Sequence, residues 1–189
     1  MTNTNRDKII KWRCENDLLF LTRYVFKEVF GARFIVNWHH EKIAEHLKAI
    51  TRREIPNSVI NIPPRYTKTE LVSVMWKVQT FINNPRARFI HVSYAEPLAW
   101  QNSARVREIL QSDAIQRLWP IKIKDDTDSK KLWHTVDGGG MRAGAAGGPI
   151  TGFGAGILDW QPGDLFDGAI TIDDPLKPDD AKSKLLTDN

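Results

Sequence analysis

Apolar positions recur at helical spacing over the first third of the chain. From Asp17 to Val29 the residues Leu18, Leu21, Tyr24, Val25 and Val29 share one face, with Asp17 as N-cap and Gly31 as stop. From Trp38 to Ile50 the pattern repeats, with Ile43, Leu47 and Ile50 inward and Glu41, Glu45 and Lys48 outward. Pro56-Asn57 breaks it. At Ser58 the period changes: Val59-Ile60-Asn61-Ile62 is a β-rich run, Pro63-Pro64 predicts a turn, and a long helical pattern runs from Thr69 to about Ile82. After Asn83-Asn84-Pro85, a strand is predicted at Arg88 to Tyr94 and a helix at Pro97 to Gln111. This alternation predicts an α/β fold, a mostly parallel sheet flanked by helices and preceded by a helical amino-terminal segment. Beyond Pro120 come a charged loop, Lys122 to Lys131, and short strands at Leu132 to Val136 and Met141 to Ala145 around the turn Gly138-Gly139-Gly140. A glycine-rich stretch, Gly144 to Gly156, leads on to a last strand, Ala169-Ile170-Thr171-Ile172, which runs into Asp173-Asp174.

Composition narrows the class without naming a function. With 189 residues, 41% of them apolar and 26% charged, the chain can bury a real core. Its one cysteine, Cys14, forms no internal disulfide and no Cys/His cluster has zinc-ligand spacing, which fits a reducing compartment such as the cytoplasm. Met1 to Arg13 has no signal-peptide core, and no stretch is long and apolar enough to span a membrane. The net charge of +4 permits a nucleic-acid partner without requiring one. Arg86, Arg88, Arg105, Arg107 and the Lys122 to Lys131 loop are candidate phosphate contacts, or an ordinary solvated face; acidic residues gather at Asp159 to Asp180.

Two short stretches carry chemistry. Pro63-Pro64-Arg65-Tyr66-Thr67-Lys68-Thr69-Glu70 follows an apolar run and opens a helix, where backbone N–H groups and the helix dipole favour phosphate oxygens. Lys68 would reach the β- and γ-phosphates and Thr69 would offer its hydroxyl to a metal ion. The strict phosphate-loop pattern fails, since Ile62 and Thr67 hold its two glycine positions. At the other stretch, a strand-end Asp173 can hold magnesium and Asp174 can orient or deprotonate water. Alone, the first is also a plain helix start and the second a surface Asp-Asp-Pro turn. Together in one α/β chain they point to nucleotide binding.

These stretches resemble the large terminase subunit of tailed bacteriophages, the motor that packages DNA into the capsid. The likeness is carried by Pro63 to Ser73, by Val92-Ser93-Tyr94-Ala95 through Leu98-Ala99 to Arg105, by Gly147-Gly148-Pro149-Ile150-Thr151-Gly152-Phe153-Gly154, and by Ile172-Asp173-Asp174-Pro175-Leu176-Lys177. It covers roughly Trp38 to the end. It implies a P-loop ATPase of the additional-strand type, in which a strand lies between the phosphate-loop strand and the acidic strand, with ATP and Mg2+ as ligands. Pro64, Arg65, Tyr66, Thr67, Lys68 and Thr69 would cradle the nucleotide, Thr69 and Asp173 would hold the metal, and Arg65 and Asp174 would serve catalysis. Trp38 and His39, ahead of the loop, would lie near the adenine base, although Trp38 also suits helix packing, His39 a surface position and Arg65 a plain surface residue. Thr67 replaces the glycine usual before the loop lysine. Either the loop avoids the positive φ that glycine allows, or binding suffers. Asp174 replaces the commoner glutamate and is one methylene shorter.

The resemblance also implies double-stranded DNA, a small terminase subunit, the capsid portal and further copies in a ring as partners, in the cytoplasm of a bacterial host. It divides the chain into a helical segment, residues 1–55, and a partial ATPase core, residues 56–189, with no nuclease domain and a sheet short of strands. The expected function is ATP hydrolysis coupled to DNA translocation. The alternatives are a non-catalytic remnant that folds and binds nucleotide or DNA weakly, and another P-loop DNA motor such as a helicase.

Overall fold

The computed structural model describes residues 3–125, 129–148 and 152–175. Asp126-Thr127-Asp128 of the charged loop, Pro149-Ile150-Thr151 of the glycine-rich loop, and Leu176-Lys177 with the acids Asp179 and Asp180 lie outside the described residues.

Three helices come first: α1 (Asn3–Asn16), α2 (Leu18–Glu28) and α3 (Trp38–Thr51). Asp17 caps α2 as expected, its carboxylate accepting the Phe20 N–H at 2.9 Å, and Gly31 sits beyond the helix end at φ +62°. The predicted inward residues of both helices face the core: Leu18, Leu21, Val25, Ile43 and Leu47 are buried. The polar first helix was not foreseen, because only Cys14 of its described side chains is buried and no apolar stripe marks it. An Asp7–Arg117 ion pair at 2.7 Å ties it to the rest. Burial, with Glu15 and Asp17 nearby, pushes the Cys14 thiol up to about 12, so it is unreactive.

The chain then passes the loop at residues 63–69 into one continuous helical rod. Its first part, Glu70–Met75, is wound as a π-helix, and its second, Trp76–Asn83, is α4. Strand β1 (Arg88–Ser93), helix α5 (Glu96–Gln111), the short α6 (Asp113–Gln116), and strands β2 (Leu132–His134), β3 (Gly140–Ala145) and β4 (Ile170–Asp173) follow. The sheet order is β2-β3-β1-β4, with β1 parallel to both β3 and β4, and β2 antiparallel to β3. The α/β class with a mostly parallel sheet therefore holds.

The β-rich run Val59-Ile60-Asn61-Ile62 is a correction: it forms no strand. A strand needs a ladder partner, and among the described residues the sheet β2-β3-β1-β4 provides none for this run. Ile60 and Ile62 pack against the core side by side with the helices, while Val59 is exposed.

One core joins the helical segment to the sheet. Leu21, Val25 and Leu47 share it with Leu71, Val74, Phe81, Phe89 and Trp133. Each large side chain fully buried there contributes about 1.5–3 kcal/mol. The Trp133 indole N–H finds the Ser103 hydroxyl at 3.0 Å, so the ring is buried without an orphaned donor. Helix α5 lies on the face of β1 that carries His91, whereas Phe153 packs on Ile90 and Val92 of the opposite face. Within β4, Ile170 and Ile172 are exposed. Gly168 (φ +122°) brings the chain into β4, and a Cβ there would collide with the Arg88 carbonyl.

Candidate functional site

The two chemistry-bearing stretches meet. Thr69, at the start of the rod, donates its hydroxyl to Asp173 Oδ2 at 2.8 Å, and Ser73, one turn on, approaches the same oxygen at 3.4 Å. Lys68 Nζ lies 2.9 Å from Asp174 Oδ1 and 3.4 Å from Asp173 Oδ1. Burial pushes the Lys68 ammonium down, but the Asp174 hydrogen bond and the two carboxylate charges together outweigh it and hold it above the usual lysine range. Asp173 is buried at the end of β4, and Asp174 is exposed, with φ +46° and its carbonyl taking the Tyr94 N–H at 3.1 Å.

The loop answers the question raised by Thr67. It does adopt positive φ, at +69° for Arg65 and +59° for Thr67. A β-branched residue there costs about 1–2 kcal/mol relative to glycine. A left-handed residue running directly into the right-handed turn of Lys68 is the arrangement that gathers N–H groups into an anion-accepting nest. Pro64, Arg65, Tyr66 and Thr67 are exposed, and Arg65 forms no ion pair among the described residues.

Beside the loop stands an aromatic ledge. Trp38 is 76% exposed, which removes it from the core. Its ring is edge-on to His39 at 5.8 Å, and His39 is edge-on to Tyr66 at 5.3 Å. His39 is buried rather than superficial. Sequence reasoning missed its neighbour His40, whose Nε2 is 2.7 Å from Thr67 Oγ1. The signal was present in Asn37, a cap residue whose third follower can close a capping box.

Beneath the site lies a buried polar layer, also unforeseen. Thr69, Ser73 and Lys77 recur every four residues along the rod. Lys77 is fully buried, and burial holds its amine well below the usual lysine range against the opposing pull of Asp173. His91 Nδ1 bonds the Thr171 hydroxyl at 2.9 Å and its Nε2 meets Asn102 Nδ2 at 3.0 Å. Burial, then the Lys77 charge, push the His91 imidazole down to about 2. Glu70 receives Arg105 through two nitrogens at 3.3 and 3.2 Å, and the guanidinium also covers the Phe30 ring at 4.5 Å. Burial raises the Glu70 carboxyl above its ordinary range, with Arg105 opposing.

Several candidate DNA contacts are thus partly engaged inside the protein. Arg105 clamps Glu70, Arg88 covers Phe153 at 4.5 Å, and Lys131 covers Trp100 at 4.4 Å. Arg107 is half-buried and has interactions of its own. Arg86, Lys122, Lys124 and Lys130 are exposed.

Magnesium suits the oxygen pair. Thr69 Oγ1 and Asp173 Oδ2 are both hard oxygen donors of the kind magnesium takes, held together by their own hydrogen bond at 2.8 Å. The described residues contain no group of three or more His, Cys, Asp or Glu fit to hold a metal, so remaining ligands would have to come from phosphate and water. A groove of about 690 Å³ between the α1–α2 junction, α3 and α4 contains none of these residues. No described helix is long and apolar enough to cross a membrane. No protein-family model, curated protein or solved structure matches the chain.

Proposed function

We propose that this chain binds ATP with Mg2+ through the loop Pro63 to Thr69 and the acidic pair Asp173-Asp174, as the ATPase part of a viral DNA-packaging motor of the large terminase type. The observation that carries the proposal is the meeting of Thr69 with Asp173 and of Lys68 with both carboxylates, from stretches about a hundred residues apart. A cation, a hydroxyl and a carboxylate gathered at the mouth of a helix behind a left-handed loop are what a triphosphate with a divalent ion requires.

In this reading the N–H groups from Tyr66 to Thr69 receive the phosphate oxygens. Lys68 would leave the acidic pair for the β- and γ-phosphates, and Thr69 and Asp173 would hold the metal. The metal, when bound, neutralises phosphate charge. Asp174, released by Lys68, would orient the water that attacks the terminal phosphorus and take its proton as the bond to the leaving ADP oxygen breaks, with Arg65 facing the terminal phosphate. The Trp38, His39 and Tyr66 ledge offers a ring surface to the base. Exposed Arg86, Lys122, Lys124 and Lys130 are the residues left for double-stranded DNA, and a ring of copies, a small subunit and the portal are the further partners the resemblance implies.

A second reading, a protein that binds nucleotide without hydrolysing it, draws on one observation: the Asp174 side chain is 67% exposed, and among the described residues its side-chain partner is Lys68. Such a base is loosely aimed. ATP binding with and without Mg2+, alongside phosphate release, separates the readings. Binding without release supports the second; binding unchanged in Lys68→Ala removes both.

A further inference from the structure

His40 joins the aromatic ledge to the loop, and each of its ring nitrogens has a fixed task. Nδ1 accepts the Asn37 N–H at 3.0 Å, closing the capping box of α3. The ring proton therefore sits on Nε2 and is donated to Thr67 Oγ1 at 2.7 Å. The Thr67 hydroxyl in turn donates to the Tyr66 carbonyl at 2.8 Å. The chain is directional: Asn37 to His40 to Thr67 to Tyr66. The ring is buried, wedged 3.9 Å from His39 and 4.9 Å from Phe34 by ring centroids, so it has no room to swing away. Its target is the residue the loop holds least comfortably, a threonine at φ +59°.

We propose that His40 is the positioning residue that makes a threonine usable at this glycine position, locking the left-handed backbone of Thr67 and tying the phosphate loop to the Trp38–His39 turn of α3. Only the identity of the ligand rests on the nucleotide reading; the lock itself rests on the hydrogen bonds. A loop with glycine at position 67 reaches the same conformation without strain, so the lock offsets a cost that the threonine brings.

That dependence supplies the test, a double-mutant cycle read by amide hydrogen exchange of residues 65–69 and by Mg2+-dependent ATP affinity. His40→Leu removes both hydrogen bonds and should speed exchange in the loop, and weaken ATP binding, each by about tenfold. His40→Gln can close the capping box and still donate to Thr67, and should recover most of the loss. On a Thr67→Gly background, His40→Leu should change either quantity by less than about twofold. If His40 were only core packing, its substitution would cost the same on both backgrounds, and that equality would overturn the proposal. So would loop exchange unchanged in His40→Leu. A wild-type protein that binds no Mg-ATP would sink the nucleotide reading, while the exchange cycle would still decide the lock.

Discussion

Thr69 donates its hydroxyl to Asp173 at 2.8 Å, joining the start of the helical rod to the end of β4. Lys68 lies against both carboxylates, 3.4 Å from Asp173 and 2.9 Å from Asp174, so hydroxyl, cation and carboxylates form one connected cluster.

The first consequence concerns the metal alone. Lys68 competes with any cation for Asp173 and Asp174, so Lys68→Ala should bind Mg2+ or Mn2+ more tightly in the absence of nucleotide. Partly exposed charges at these distances are worth about 1 kcal/mol, or roughly fivefold. Manganese titration followed by electron paramagnetic resonance reads this directly. Equal or weaker affinity in the variant means that Lys68 does not guard the acidic pair.

Arg105 is expected to act on stability rather than on DNA. Arg105→Ala leaves the half-buried Glu70 unpaired and uncovers Phe30, for a loss of about 1–2 kcal/mol in urea denaturation. The salt dependence of DNA binding should stay as in wild type, whereas Arg86→Ala should lower its slope by about one. The opposite assignment would return Arg105 to the DNA surface.

Acid should destabilise the fold through His91. Its imidazole is neutral in the folded protein down to about 2, whereas in the unfolded chain it takes a proton below about 6.5. Its contribution is therefore complete above pH 6.5 and is lost as pH falls from 6.5 toward 2, at up to about 1.4 kcal/mol per unit. Between pH 6.5 and 5 that amounts to roughly 2 kcal/mol. His91→Gln should flatten this part of the curve; an unchanged slope would place the acid sensitivity elsewhere.

Among the described residues the outer edge of β4 has no strand partner, and Ile170 and Ile172 of this strand are exposed. Ile172→Lys should reduce concentration-dependent association in sedimentation velocity while shifting stability by no more than about 0.5 kcal/mol. Association that persists unaltered would show that another surface carries it.

Much of the framework was legible because each element announced itself by period and punctuation. Asp17, Gly31 and Asn83-Asn84-Pro85 fixed helix ends, and Phe89 to Val92 and Ile170 to Ile172 read as strands from local sequence. The pairing of Lys68-Thr69 with Asp173-Asp174 was legible as well, since strand-end acids and helix-start hydroxyls meet in such folds. What escaped depends on distant partners. Val59 to Ile62 has strand composition but no neighbour to bond with, and composition cannot supply one. The π-wound turn and the buried Lys77 and His91 arise from tertiary fit between rod and sheet. His40 looked like part of an ordinary helix start until the folded loop brought Thr67 against it.

Whether Thr69, Asp173 and Lys68 form one site for a magnesium-bound triphosphate is decided by ATP affinity, measured calorimetrically with Mg2+ and with a chelator, in wild type and in Asp173→Asn. The prediction is that Mg2+ strengthens ATP binding by about tenfold or more in wild type and by less than about twofold in Asp173→Asn. The same Mg2+ dependence in both proteins, or no ATP binding by wild type, would contradict it.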